Sequence, residues 1–162
     1  MKLIKTQNHT HIVIYFLLSV FPTITFSQTN YHSYVDPFIG TEGSGNVVVG
    51  PSCPFGMIKP SPDYSLTANS GYKPDLDLPL LGFSQVHVSG TGGGAKYGNI
   101  SVMPFASDRE SINQISLRDN EKASLGYYAV TLKKWNIEAE ITTSHKVAFY
   151  NFKFNNPGHQ GI

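Results

Sequence analysis

The 162-residue sequence contains one cysteine, Cys53, and few charged side chains. A single cysteine excludes an intramolecular disulfide and any cysteine-rich metal site. Charged residues make up 14% of the sequence, and the net charge is +1. A chain so close to neutral lacks the basic patch with which proteins bind the phosphates of nucleic acids. The composition therefore predicts no nucleic-acid partner.

Cys53 lies between Pro51 and Pro54, in a segment rich in glycine and proline. A catalytic thiol needs a neighbouring histidine or lysine that stabilises the thiolate. None is adjacent in the sequence. We therefore expect a buried thiol that packs as a small apolar side chain, rather than a nucleophile.

The sequence also lacks an apolar run long enough to cross a membrane. Its N-terminal apolar run, Ile12 to Phe21, is shorter than the roughly 20 residues that a spanning helix requires. Two lysines precede this run, and the small residues Thr25 and Ser27 follow it. This order is typical of a signal peptide. We predict that residues 1–27 are removed on export, which gives a secreted or periplasmic protein with no membrane span; a buried strand or helix is the alternative.

Helical patterns are missing from residues 28–162, and glycine and proline are concentrated between Gly40 and Gly98. Short apolar or alternating runs take their place, with starts roughly ten residues apart in the later part of the chain. A period of two, clearest in Ile137–Thr143, indicates half-buried antiparallel strands. Predicted strands are Phe83–Ser89, Ile100–Met103, Tyr127–Leu132, Ile137–Thr143 and Val147–Phe154. The pattern predicts an all-β fold, an antiparallel β-sandwich or barrel, with Trp135 in its core.

A turn signal follows the last predicted strand, at Asn155–Gly158. With no predicted strand after it, residues 147–154 would form an unpaired, aromatic-rich edge, which natural domains avoid. We therefore expect residues 28–162 to be the first part of an incomplete sandwich in a larger protein.

Glycines cluster at Gly90–Gly94, in a pattern that matches the dinucleotide-binding fingerprint. That fingerprint requires a helix after the glycines, whereas a strand-like run follows here. We interpret the cluster as a bend where the backbone approaches a ligand closely; a rigid loop without a ligand is equally compatible with the residues.

The predicted strand before this cluster places Gln85, His87 and Ser89 on one face. Three polar side chains that run into a glycine-rich loop could line a polar site. A surface histidine, or one satisfied by hydrogen bonds, is the alternative. Asp75 and Asp77 resemble the start of a calcium loop, but the glycine and glutamate that an EF-hand requires are absent.

Several segments together resemble the opening of glycoside hydrolase family 92. They are Val35–Thr41, Gly45–Pro51, Pro54–Met57, Pro60–Asp63, Gly71–Tyr72, Leu81–Gly92, Tyr97–Ile100, Met103–Pro104 and Asn120–Val130. These segments occur in order and cover most of residues 34–154.

The resemblance implies a secreted, calcium-dependent exo-α-mannosidase that inverts the anomeric centre and acts on α-mannoside glycans. It implies a galactose-mutarotase-like supersandwich packed against a C-terminal (α/α)6 catalytic domain. The acid and base carboxylates and the calcium ligands belong mainly to that domain. We therefore expect no catalytic residue and no metal ligand in this chain, which should be catalytically silent by itself.

The resemblance further implies that one group of residues shapes the sugar pocket. These residues are Tyr72, His87, Ser89, Gly90, Thr91 and Gly92. Two positions differ from the usual family pattern: Gln85 stands where a histidine is common, and Gly93–Gly94 stand where a cysteine is common. Metal or thiol roles at these positions therefore do not transfer. A free-standing carbohydrate-binding or structural β-module is the alternative function.

Overall fold

The computed structural model describes residues 30–90, 97–107, 114–156 and 158–162. Within these ranges the chain forms one short 3-10 helix, nine β-strands and no α-helix. The 3-10 helix is Tyr31–Tyr34, and the strands are β1 (Ser61–Asp63), β2 (Gly82–His87), β3 (Tyr97–Val102), β4 (Phe105–Ala106), β5 (Arg118–Ser124), β6 (Tyr127–Leu132), β7 (Ile137–Thr143), β8 (Ala148–Phe154) and β9 (Gln160–Gly161). None of the described residues belongs to a helix that is long and apolar enough to cross a membrane.

The strands form three sheets in which every pair is antiparallel. One sheet has the order β1-β2-β3, another has the order β5-β6-β7-β8, and β4 pairs with β9. The four-stranded sheet is a meander, since each strand pairs with the next one along the chain. The predicted all-β, antiparallel fold is confirmed.

Alternation decides which side of the meander is buried. Ile137, Ala139 and Ile141 of β7 are at most 1% exposed, whereas Glu138 and Glu140 lie on the opposite face. The predicted bounds of β6 and β7 match the observed ones. A strict period of two therefore located these strands correctly.

Aromatic rings join the two larger sheets. The buried ring of Phe83 on β2 has its centroid 6.5 Å from that of Tyr128 on β6 and 6.4 Å from that of Phe152 on β8. These rings belong to one core cluster, which also contains Trp135 as predicted. Two sheets that pack face to face around a shared core form a β-sandwich, so this prediction is also confirmed.

Two features differ from the predictions. The sequence pattern did not predict β5, because the strand is polar and its buried residue is Arg118. The strand pairs with β6, and a bulge interrupts the pairing between Asp119 and Lys122. A strand also follows the predicted turn, contrary to expectation, but β9 pairs with β4 rather than with β8. β8 remains the last strand of its sheet among the described residues.

Candidate functional site

The glycine loop, residues 40–49, is folded back on itself by backbone hydrogen bonds. Gly45 N donates to Glu42 O at 2.9 Å, and Val47 N donates to Gly40 O at 3.4 Å. A Cβ atom on Gly45 would lie 2.0 Å from Gly40 O. This turn therefore requires glycine at position 45, because any side chain would collide with the backbone.

The far half of the glycine loop lies against the residues that follow β2. Gly90 N donates to Asn46 O at 2.7 Å, and Val48 N donates to the Ser89 hydroxyl at 3.2 Å. We call residues 46–48 and 88–90 together the loop edge. Gly90 has a φ of +73°, which favours glycine. Thr91 and Gly92, for which the family resemblance also implied a place in the sugar pocket, lie outside the described residues.

His87 lies beneath the loop edge and is 2% exposed. Its Nδ1 donates to Lys59 O at 2.8 Å, and its Nε2 lies 2.8 Å from Asp63 Oδ1. Both ring nitrogens are thus bound to the segment that carries β1. His87 supports the end of β2 from the inside, whereas Ser89 is exposed.

Asp63 is buried and binds two side chains of β2. Its second carboxylate oxygen accepts a hydrogen bond from the Ser84 hydroxyl. Serine, histidine and aspartate are therefore adjacent, but the serine hydroxyl donates to the aspartate rather than to His87. A nucleophilic triad requires the hydroxyl to face the imidazole, so this buried group stabilises the fold instead.

Tyr72 belongs to a different group, which we call the tyrosine cluster. Glu121 Oε1 accepts from the hydroxyl of Tyr128 at 2.6 Å and from that of Tyr64 at 3.4 Å, while Oε2 accepts from Tyr72 at 3.1 Å. Arg118 Nε lies 3.3 Å from Oε2, and its guanidinium covers the Tyr64 ring at 3.9 Å. One carboxylate therefore ties β5 and β6 to residues 64–72.

Burial raises the pKa of the Tyr64, Tyr72 and Tyr128 hydroxyls, and the charge of Glu121 raises it further. Each hydroxyl consequently stays protonated at physiological pH and can donate to the carboxylate. Tyr72 is 3% exposed, so most of its ring is committed to this packing.

A cleft of about 500 Å³ opens beside the tyrosine cluster. Phe38, Thr41 and Glu42 line one part of it, and Tyr72 and Glu121 line another. Since residues 40–42 belong to the glycine loop, this loop contributes to both the cleft and the loop edge. The glycine loop thus lies next to Tyr72 at the cleft and next to Ser89 and Gly90 at the loop edge. The three predicted residues are close to the same loop but belong to two separate places on it.

Cys53 is partly exposed, so the expectation of a buried thiol is wrong. Its Sγ lies 3.7 Å from Nδ1 and 3.8 Å from Nε2 of His145. Because the two distances are nearly equal, the sulfur does not point at either nitrogen as it would in a directed hydrogen bond. Met57 N donates to His145 O at 2.7 Å, which holds the two segments together. Local sequence could not reveal a partner 92 residues away.

Several residues of the loop edge and its support were not identified by sequence reasoning. Asn46 and Val48 act through backbone atoms, so their side chains give no signal. Asp63 lies 24 residues from His87, and β1 has only three residues, which is too short for a periodic pattern. The buried aspartate of the Pro60–Asp63 motif could have been found only through the family pattern.

In the described ranges, no three His, Cys, Asp or Glu side chains converge to hold a metal ion. The expectation that calcium binds elsewhere in such proteins stays a prediction.

The model of the glycosyl hydrolase family 92 N-terminal domain matches residues 34–162. The chain belongs to this family. It is 34% identical to an uncharacterized secreted glycosidase of Arthroderma benhamiae, over 75% of this chain and 17% of that protein.

Solved structures agree with the family 92 assignment. A family 92 α-mannosidase from Bacteroides thetaiotaomicron, solved in complex with mannoimidazole, is 34% identical with a TM-score of 0.72, over 78% of this chain and 18% of that one. An inverting family 92 mannosidase from the same organism is 24% identical, with a TM-score of 0.69 over 83% and 19% of the two chains, and supports the fold. The chain spans about a fifth of the length of these relatives.

Proposed function

We propose that this family 92 domain forms one wall of the sugar site of a secreted, calcium-dependent exo-α-mannosidase that inverts the anomeric centre. The observation that carries the proposal is the loop edge, where Gly90 N and Asn46 O join two glycine-rich segments at 2.7 Å. The similarity to an α-mannosidase solved with mannoimidazole supports a mannoside as the ligand.

The loop edge has the chemistry that an uncharged sugar requires. Glycines let a pyranose ring approach the backbone closely, and exposed peptide groups offer both donors and acceptors. Ser89 adds an exposed hydroxyl that already accepts one hydrogen bond and can donate another. Beneath it, His87 and Asp63 fix the position of the end of β2.

We assign hydrolysis to a separate (α/α)6 domain. Inversion needs an acid and a base carboxylate about 6.5 to 9.5 Å apart, with a water molecule between the base and the sugar. We assign no catalytic residue to this chain, and we place the calcium ligands in the (α/α)6 domain. The role of this chain is to bind and orient the sugar and to exclude water from one side of it.

Export is part of the proposal. The apolar N-terminal run followed by small residues supports removal of residues 1–27. The relative from Arthroderma benhamiae that is named a secreted glycosidase supports the same location.

A chimera tests the role of the loop edge. Residues 34–162 would replace the corresponding fifth of the α-mannosidase from Bacteroides thetaiotaomicron. We expect this chimera to release mannose from an α-mannoside, and we expect Gly90→Val in the chimera to lower kcat/KM about 100-fold, because a small displacement of a sugar-positioning group has such effects.

Gly126→Val is the matched control. Gly126 and Gly90 have nearly the same φ, +74° and +73°, and neither has an atom within 4 Å of an added Cβ. Gly126 lies in the β5–β6 turn, so its variant should keep the activity of the chimera. A folded chimera without activity, or equal losses in both variants, would refute the proposal. If the chimera does not fold, NMR detects whether the full chain binds methyl α-D-mannopyranoside. Binding that Gly90→Val weakens and Gly126→Val does not would support the proposal, and no binding would refute it.

The alternative function is carbohydrate binding without any catalytic domain. The described residues contain a core cluster of their own, which favours a module that folds independently. Mannoside binding by the full chain, together with an inactive but folded chimera, would support this alternative.

A further inference from the structure

The outward face of the four-stranded sheet contains a groove that the loop edge does not use. The groove has a volume of about 300 Å³ and crosses β5, β6 and β7. Ala129 lies on its floor, between the larger residues Tyr127 and Thr131 of the same strand. Its walls are formed by the side chains of Asn120, Lys122, Tyr127, Thr131, Glu138 and Glu140.

A β-bulge shapes one wall of this groove. The register of β5 against β6 shifts between Asp119 and Lys122, and Asn120 within the bulge has a φ of +49°. Bulges redirect side chains and are over-represented beside binding sites. Here the bulge places Asn120 and Lys122 at the groove, opposite the carboxylates of β7.

Glu140 is held in a fixed position by two neutral donors. The Tyr127 hydroxyl donates to its Oε1 at 2.5 Å, and Asn151 Nδ2 donates to its Oε2 at 2.8 Å. The hydroxyl reaches diagonally, since Glu140 is paired with Ala129 in the register. The Tyr127 ring is therefore anchored at both ends beside the floor of the groove.

Glu138 is oriented in the same way. Asn155 Nδ2 and Lys153 Nζ donate to its Oε1 at 2.8 and 3.0 Å. These hydrogen bonds lower the pKa of Glu138, and those from Tyr127 and Asn151 lower the pKa of Glu140. Both carboxylates are therefore ionised at neutral pH and have lone pairs left to accept further hydrogen bonds.

Glu138 and Glu140 give the groove lining two negative charges and Lys122 gives it one positive charge, while Lys153, outside the lining, forms an ion pair with Glu138. The groove therefore has no large excess of either sign, which suits an uncharged ligand. The apolar side chains available in the groove are those of Ala129 and Tyr127, because the side chains of Val130 and Ala139 are buried. This apolar surface is too small for a lipid. Two oriented carboxylates, with the Asn120 amide, the Lys122 ammonium and one aromatic ring beside them, suit a ligand with many hydroxyl groups and an apolar C–H face.

We propose that this groove is a second, non-catalytic binding site for an uncharged oligosaccharide. Vicinal hydroxyls of the sugar donate to Glu138 and Glu140, Lys122 donates to a ring or hydroxyl oxygen, and a C–H face packs against Tyr127. The site is independent of the loop edge, and a glycan held here stays close to the protein while another part of it is processed.

Isothermal titration of the full chain with an α-linked mannotetraose and with a β-glucan tetraose tests the proposal. Only the choice of the mannose probe rests on the proposed function. We expect at least one of the two to bind, and we expect Ala129→Leu to weaken that binding about tenfold or more by filling the floor of the groove. Glu140→Gln should weaken it similarly, because a hydrogen bond to a charged group contributes about 1.5 to 3 kcal/mol, or more than tenfold.

Two further variants separate this groove from the rest of the surface. Phe149→Leu changes an exposed residue of β8 outside the groove and should leave binding unchanged. Ser89→Ala changes the loop edge and should also leave groove binding unchanged, whereas methyl α-D-mannopyranoside binding at the loop edge should weaken.

The thermal unfolding midpoint of each variant shows whether it is folded. Binding that is equal in the wild-type chain and in folded Ala129→Leu and Glu140→Gln would overturn the proposal. Failure of both tetraoses to bind at millimolar concentration would overturn it as well, even if the loop-edge chimera is active.

Discussion

At the scale of single residues, Asp63 links β1 to two side chains of β2 below the loop edge. Its carboxylate binds His87 and Ser84 of β2, although Asp63 itself lies on β1 and is 4% exposed. A buried carboxylate is tolerated because both of its oxygens are hydrogen bonded. Its removal would leave the buried Nε2 of His87 without this partner.

We predict that Asp63→Ala lowers the free energy of unfolding by about 3 to 5 kcal/mol, the usual cost of removing one partner of a buried pair. Asp77→Ala, an exposed aspartate, should change it by less than about 0.5 kcal/mol. Urea denaturation followed by Trp135 fluorescence measures both. A loss below about 1 kcal/mol for Asp63→Ala would show that the pair contributes little.

The tyrosine cluster makes a prediction about alkaline pH. The folded-state pKa values of Tyr64, Tyr72 and Tyr128 are raised above the ordinary value of 10.0, so the fold favours their neutral form. This stabilisation is fully present below pH 10 and is lost as the pH rises above it. We expect part of the tyrosinate absorbance to appear together with cooperative unfolding.

Comparison of absorbance and circular dichroism along one pH titration checks this expectation. Tyr128→Phe keeps the ring but removes one of the ionising groups, and it should make the alkaline unfolding less steep. Complete tyrosine ionisation in a chain that retains its fold would contradict the assignment.

At the scale of elements, the glycine loop depends on backbone contacts that leave no room for side chains. Gly45 and Gly43 lie in the same loop but face different surroundings. An added Cβ on Gly45 would meet Gly40 O at 2.0 Å, whereas one on Gly43 would meet nothing within 4 Å. An alanine at position 45 would therefore collide with the backbone, whereas an alanine at position 43 would only be forced into an unfavourable φ.

We predict that Gly45→Ala opens the loop and breaks the hydrogen bond from Gly90 N to Asn46 O. The Gly90 amide should then exchange with solvent much faster, as measured by hydrogen exchange. Gly43→Ala should cost about 1 to 2 kcal/mol, because its φ is +58°, and should leave the Gly90 amide protected. Equal exchange in both variants would mean that the loop is not held by this contact.

β8 is the second element with a specific consequence. It is the last strand of its sheet in the described part of the chain, and Phe149 on its outer face is 56% exposed. Exposed apolar edge strands promote association between chains. We predict that Phe149→Lys lowers the light scattering of concentrated solutions, whereas Phe149→Leu does not, with similar unfolding midpoints for both.

At the scale of the whole molecule, the sequence alone predicted the meander better than the loops. β6 and β7 alternate strictly, so the pattern determined their bounds and their buried faces. β5 could not be predicted, because its polar residues form a strand only by pairing with β6. Strand pairing of this kind depends on the neighbour rather than on local propensity.

The candidate site was predictable in part. The glycine cluster and the polar residues after β2 indicated the location of Ser89 and Gly90, but not their contacts with Asn46 and Val48. The hydrogen bond from Gly90 N to Asn46 O uses backbone atoms only, so the residue types at these positions do not signal it. The alternation at β2 suggested that His87 could line a polar site, with a histidine satisfied by hydrogen bonds as one alternative. Its ring is buried and lies within hydrogen-bond distance of Asp63 and Lys59 O, partners that local sequence could not indicate.

Export concerns the whole chain and can be tested directly. We predict that a bacterial host with a secretion pathway releases a protein that begins at Gln28, as determined by intact-mass measurement. Ser27→Arg, which places a large charged side chain at the cleavage position, should block this processing. A cell-retained, full-length wild-type protein would contradict the prediction.

The sequential strand order of the β5–β8 sheet determines how the chain can fold. Each of its strands meets a partner after a short turn, whereas the glycine loop must find residues 88–90 across a long stretch of chain. Contacts between nearby residues form faster than distant ones, because less chain entropy is lost when they close. The meander is therefore the expected nucleus of folding, and the loop edge, the part that would contact sugar, assembles last.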